Sequence, residues 1–168
     1  MKAERKYLAH YVDAAFDTTY AKSEYVRLGK DLEEYAIELN PDVETKKNIL
    51  GENSVAVNGY EVSSSVEPYY YDYDEKLSQK VMDIAMNRST GDTCKTSVVD
   101  VLLKPGDSAN EEPTVVWAYR EDCYIVPQSV GGDTSGIQIP FELTRAGNLV
   151  KGTFDLKTKT FTAGNTGL

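Results

Sequence analysis

The chain has 168 residues, 40% of them hydrophobic, with 18 basic and 27 acidic side chains and a formal charge of −9. That length suits one domain, residues 1–168, which at this mass would expose roughly 8,000 Å² of an unfolded roughly 27,000 Å² and so can fold without staples. The negative charge disfavours a protein built to grip nucleic-acid phosphates, the apolar content is too high for a disordered chain, and no apolar run approaches the roughly 18 residues of a membrane span.

The first residues, Met1-Lys2-Ala3-Glu4-Arg5-Lys6, are basic, but Tyr7 to Ala14 is not an apolar core, so no secretion signal is expected. His10, the single histidine, has no Cys or His near it and cannot make a histidine-based metal site alone. From Glu33 to Leu39 the residues alternate, with Tyr35, Ile37 and Leu39 against Glu34, Ala36 and Glu38, which predicts a half-buried strand. Residues 40–58 then form a long connection mixing charges with Val43, Ile49, Leu50, Val55 and Val57. Loops beyond about 12 to 15 residues are uncommon in compact domains unless they have a function, so this one is expected to dock on something, most economically a neighbouring copy.

Residues 59–67 alternate again, with Tyr60, Val62, Ser64 and Val66 opposed by Glu61, Ser63, Ser65 and Glu67. Asp72 to Ser89 changes period: Leu77, Val81, Ile84 and Ala85 fall on one helix face, with Asp72 or Asp74 as N-cap and Gly91 as the stop. Asn87-Arg88-Ser89 matches a glycosylation sequon on that helix end, without meaning unless the chain is secreted. Cys94 and Cys123 are too distant for a paired-cysteine metal or redox motif and are read as small apolar side chains. Residues 97–103 are apolar on both faces, a strand buried on both sides. Thr114 to Val126 would span roughly 40 Å as one strand, so a bulge is expected near Arg120-Glu121-Asp122. Gly131 to Gly136 lacks the Lys and helix of a phosphate loop and reads as a turn. In residues 137–143, Ile137, Ile139, Phe141 and Leu143 face in while Gln138, Pro140 and Glu142 face out, and Pro140 favours an edge or bulge. A hairpin, Gly152 to Leu156 and Lys159 to Thr162, closes the chain.

The expected class is mainly β (α+β): an antiparallel β-sandwich or barrel with one flanking helix over about 72–90 and a long inter-strand loop over about 40–58. Charge is uneven along it. Residues 1–12 and 151–168 each carry three basic and one acidic side chain, leaving −13 on residues 13–150. Basic ends could dock on acidic bodies of neighbouring copies.

The stretch Asn40 to Leu103, NPDVETKKNILGENSVAVNGYEVSSSVEPYYYDYDEKLSQKVMDIAMNRSTGDTCKTSVVDVLL, resembles the major tail protein (tail tube protein) of long-tailed bacteriophages of Gram-positive bacteria. It has a charged loop ending in Ile-Leu-Gly, a Gly-Tyr strand, Glu-Pro-Tyr-Tyr, an acidic-capped helix and a valine-rich strand. Tyr25-Val26-Arg27-Leu28-Gly29-Lys30 and the closing strand-turn-strand fit the same plan. The resemblance implies a virion structural protein, assembled in the bacterial host cytoplasm. Six copies would form each ring, and rings would stack into a tail tube around a tape-measure protein. Tail terminator and distal tail proteins would be further partners, and DNA would pass through without sticking. It also implies that residues 1–20 act as an N-terminal arm and that the loop joins subunits, through Pro41, Asp42, Glu44, Lys46, Lys47, Ile49 and Leu50. Neither cofactor nor metal nor membrane is implied.

A tube that conducts DNA should not attract it, since each wall Lys or Arg adds phosphate affinity. If the strands form an inner sheet, Glu34, Glu38, Glu61, Ser63, Ser65, Gln138 and Glu142 would line the lumen, with Arg120 as a dissenter. Two other classes compete. Trp117 and Tyr69-Tyr70-Tyr71-Tyr73 could stack on sugars in a β-sandwich binding module on a phage tail or bacterial surface, although tyrosines in β-rich chains more often pack sheets. Glu111-Glu112 or Glu121-Asp122 could serve acid–base catalysis, but neighbours on a strand point to opposite faces and no nucleophile accompanies them, so no enzyme is expected.

Overall fold

Valine-rich and aromatic stretches pair into one curled antiparallel sheet in the computed structural model, which describes residues 1–164. Among these residues the strands are β1 (Leu8–Asp13), β2 (Tyr25–Leu28), β3 (Pro41–Lys47), β4 (Asn53–Tyr60), β5 (Ser63–Val66), β6 (Lys95–Lys104), β7 (Thr114–Pro127), β8 (Gly131–Asp133), β9 (Gly136–Gln138), β10 (Phe141–Arg145), β11 (Val150–Asp155) and β12 (Thr160–Ala163). Helix α1 (Lys76–Asn87) lies between β5 and β6. The main sheet runs β12-β11-β7-β6-β1-β2, while β10 takes the C-terminal half of β7 and carries β5. Two hairpins, β3–β4 and β8–β9, stand outside it. The fold is therefore mainly β with one helix, as its periodicity predicts. The expected domain ran to Leu168; residues 165–168 lie outside the described ones.

Both faces of the sheet are apolar, so each is covered. On one, Val12, Val98, Cys123, Ile125, Phe141 and Leu143 pack under α1, whose Leu77, Val81 and Ile84 are buried. On the other, Ala9, Tyr11, Val99, Val101 and Ala118 pack with Phe154 of β11. β6 supplies both groups by alternation, so all of Thr96 to Val101 is buried. The β11–β12 hairpin closes tightly: a β-carbon at Gly152 would collide with Thr162 O and the Phe161 ring.

Several expectations fail for physical reasons. Residues 1–20 are not an arm, because Leu8–Asp13 forms β1 between β6 and β2, with Ala9 to Asp13 all buried. Residues 33–39 are not a strand; one bridge, Glu38 to Ser63, is their share of ladder. That segment crosses over the sheet instead, with Tyr35 plugged against the His10 ring at 4.3 Å and its carbonyl accepting a hydrogen bond from Arg5. Residues 40–58 are not a loop but most of a hairpin, β3 and β4 paired from Pro41–Tyr60 to Lys47–Asn53. The bulge in β7 falls at Val116, where the register with β6 shifts between Leu102 and Leu103, rather than at 120–122. Ile137 is exposed, while Ile139, Phe141 and Leu143 are buried. Pro140 stands between β9 and β10, which belong to different sheets, where its missing donor breaks no ladder.

The helix ends also differ. Its N-cap is Glu75, which makes no side-chain cap; Asp72 accepts from the Asp74 N–H, and the Ser78 hydroxyl donates to the Asp72 carbonyl. The helix stops before Gly91, at Arg88, which takes the left-handed conformation at φ 51°.

Candidate functional site

The β3–β4 hairpin is the first candidate. Every residue of β3 is exposed, and all of β4 but Gly59. Register sorts its faces: Val43 opposes Val57 and Thr45 opposes Val55, while Glu44 opposes Ala56 and Lys46 opposes Ser54. One face is therefore apolar and the other charged. The turn between the strands is ordered, because the Asn48 side-chain oxygen accepts from the N–H groups of Leu50 and Glu52, both at 2.9 Å. Gly51 takes the φ of +81° that the turn needs. The result holds Ile49 and Leu50 at the tip, 103% and 77% exposed. Of the loop residues expected to join subunits, Pro41, Asp42, Glu44, Lys46 and Lys47 lie on β3, and Ile49 and Leu50 form the apolar tip.

The expected lumen residues divide. Ser65 and Glu142 are direct cross-strand neighbours, as are Ser63 and Thr144, on the face of β5 and β10 turned away from α1. Glu38 joins them through two backbone hydrogen bonds with Ser63, at 2.8 and 3.0 Å. The structure does not bring in the other three. Glu34 lies on the crossing segment, Glu61 in the turn between β4 and β5, and Gln138 on β9 beside Tyr70.

A third arrangement has no counterpart in the motif reading. Asp100 on β6, buried in the sheet, receives Nδ1 of His10 at 2.7 Å and Nη1 of Arg145 at 2.7 Å on its two oxygens. Arg5 Nη2 lies 3.0 Å from His10 Nε2. Since guanidinium only donates, Nε2 must accept, which places the histidine proton on Nδ1 and aims it at Asp100. Glu121 Oε1 stands 3.6 Å from Arg145 Nη1. Burial would raise the Asp100 carboxyl, but the His10 hydrogen bond and the Arg145 charge outweigh it and hold it below its ordinary value. Burial wins at Glu121, whose carboxyl is raised although Arg145 and the Gly147 N–H pull it down. A lone Asp in an otherwise valine-rich, doubly buried strand was the signal available for this network, because a buried carboxylate requires partners.

Asp100, Glu121 and Arg145 form the floor of an open groove of about 470 Å³ whose walls include Leu39, Tyr60, Trp117, Tyr119 and Leu149. Leu39, Tyr60 and Leu149 are more than half exposed there. The groove starts at the root of the hairpin, since Tyr60 pairs with Pro41.

Other candidates are absorbed by packing. Tyr69 is buried edge-on against Phe141 and donates to Glu75, and Tyr71 packs edge-on against an exposed Tyr73. Glu121 and Asp122 point to opposite sides, the first to Arg145 and the second to Tyr20 and Asn148. Burial and the Asp122 hydrogen bond push the Tyr20 hydroxyl up to about 12. Both cysteines are free and buried, and burial pushes the Cys123 thiol up to about 12. Gly131–Asp133 and Gly136–Gln138 form a small hairpin. Among the described residues no group of three or more His, Cys, Asp or Glu could hold a metal ion, and no helix is long and apolar enough to cross a membrane.

Comparison with protein-family models, with curated proteins and with solved structures finds no match for this chain.

Proposed function

We propose that this protein is a self-assembling structural subunit of a phage tail tube, forming six-membered rings that stack around a tape-measure protein. Terminator and distal tail proteins meet the ends of the stack, in a virion tail assembled in the host cytoplasm, and DNA is cargo that passes without sticking. The observation that carries the reading is the β3–β4 hairpin. An isolated two-stranded hairpin is marginal in water, and this one leaves an apolar face and an apolar tip uncovered. A second copy is what completes it.

The total surface agrees. The chain exposes 10,871 Å², roughly a third above the about 8,000 Å² of a compact chain of this mass. Such an excess suits a subunit whose area is meant for neighbours. The face bearing Glu38, Ser65 and Glu142 is acidic and polar and suits a wall past which DNA slides.

Electron microscopy of purified protein over a concentration series tests the reading, with rings or tubes expected and a strict monomer at high concentration contradicting it. Deleting residues 41–57 should abolish assembly and keep the fold. The hairpin ends are already joined: the Glu61 N–H donates to the Asn40 carbonyl at 3.3 Å, and Asn40 Nδ2 donates to the Glu61 carbonyl at 2.9 Å.

A further inference from the structure

We infer that the receptor for the hairpin tip is the groove walled by Leu39, Tyr60, Trp117 and Leu149 on a second copy, so that subunits join head to tail. The inference rests on the self-assembly proposed above and adds where the tip goes. Three observations lead to it. First, tip and groove are both apolar and both open: Ile49 and Leu50 are the most exposed large aliphatic side chains after Met1, and the groove holds about 470 Å³ between partly uncovered walls. Second, one ion pair between copies is available: Glu61, exposed beside the groove residue Tyr60, has no ion-pair partner among the described residues, and neither has Lys47 beside the tip, where Glu52 across the turn leaves no net charge to repel it.

Third, the tip cannot enter its own groove. The groove lies at the hairpin root, and seven residues of paired strand carry the tip roughly 23 Å away at about 3.3 Å per residue. A knob and a hole on different parts of one surface make a heterologous contact, which repeats until it closes a ring or continues as a filament. A two-fold contact of hairpin on hairpin would instead leave the groove open.

The floor suits a permanent docking site. Asp100, Glu121 and Arg145 are buried and mutually paired beneath the apolar walls, so an aliphatic side chain entering the groove need not strip water from an unpaired charge.

Leu50→Glu places a carboxylate on the tip, and Leu149→Glu places one in the groove wall. Both sites are exposed, so circular dichroism and thermal melts should match the wild type. Sedimentation should show each variant alone as a monomer, its association weakened roughly 10- to 150-fold, the worth of burying one leucine. Mixed one to one, the two should form a dimer that grows no further, because the groove variant keeps a working tip and the tip variant keeps a working groove. That outcome supports head-to-tail docking. If Leu149→Glu assembles like wild type while Leu50→Glu does not, or if the mixture stays monomeric, the groove is not the receptor, although self-assembly stands. A wild-type chain that never associates removes the proposed function and this inference with it.

Discussion

Asp100 is the residue on which the groove floor depends. Its two oxygens are divided between His10 and Arg145, and removing one charge from a buried pair strands the other, at a cost of about 3–5 kcal/mol. Asp100→Asn should therefore lower unfolding free energy at neutral pH by that amount, as read from denaturant melts. Because the folded state holds the Asp100 carboxyl below its unfolded value, its contribution is fully present above the unfolded value and is lost as pH falls through the folded one. Glu121 works in the opposite sense: its carboxyl is raised, so its contribution is present at low pH and is lost as pH rises through the folded value. The gap between wild type and Asp100→Asn should thus narrow on acidification, and a gap that stays constant down to strongly acidic pH would show that Asp100 is not stabilised as a carboxylate. Gly152 offers a purely steric test. Gly152→Ala should destabilise by about 1–3 kcal/mol, the usual cost of overpacking, since the new methyl meets Thr162 O and the Phe161 ring.

Among the elements, α1 ends on a residue poorly suited to its backbone. Arg88 occupies the left-handed region, which costs a residue with a β-carbon about 1 kcal/mol or more, and its exposed side chain, among the described residues, bonds only the nearby Met86 carbonyl. Arg88→Gly should raise stability by up to about 1 kcal/mol, or roughly 2–4 °C in melting temperature, with a fall in melting temperature counting against strain there. The helix itself was legible, because Leu77, Val81 and Ile84 recur at the spacing of one face. Its ends were not: Asp72 and Asp74 have the right chemistry for a cap but spend it on a turn before the helix begins. The hairpin was concealed for a different reason. Its apolar residues, Val43, Val55 and Val57, have no core to face, so the mixed charges around them read as a loop, and pairing shows only in the register. Burying those three with Ile49 and Leu50 would contribute roughly 7–15 kcal/mol at about 1.5–3 kcal/mol per fully buried side chain. Association costs about 4–15 kcal/mol, a range that overlaps this gain, so one tip in one groove is a modest contact that pairs two copies at the concentrations used in sedimentation, and closing a ring strengthens it by adding a contact with no further copy to immobilise.

For the whole molecule, the central sheet was legible where both neighbours of a strand are apolar, as at Val98, Val99 and Val101. It was illegible where buried polar residues interrupt the pattern. β1 contains His10 and Asp13, which break the apolar run of a buried strand, so nothing in its periodicity opposed the N-terminal arm that the resemblance implied. Tyr35, Ile37 and Leu39 made the opposite error possible: their alternation is real, but Tyr35 faces His10 and Leu39 faces a groove, so the segment crosses the sheet without joining it. The same geometry divides the acidic body into separate surfaces, of which Glu38, Ser65 and Glu142 form the one shared by β5, β10 and the crossing segment.

If that surface lines a tube, its accessibility must depend on the size of the probe. Ser65→Cys tests this, because Ser65 is exposed while the natural Cys94 and Cys123 are buried and should react slowly. In unassembled protein the new thiol should react with both a small maleimide and a bulky polyethylene-glycol maleimide. In preformed tubes it should keep its reaction with the small reagent and lose most of its reaction with the bulky one, which cannot diffuse along a narrow channel. Equal reaction with both would place Ser65 on the outside of the tube, and reaction with neither would place it between subunits; each removes the face from the lumen. The charge of −9 would then need another role than keeping DNA off the wall.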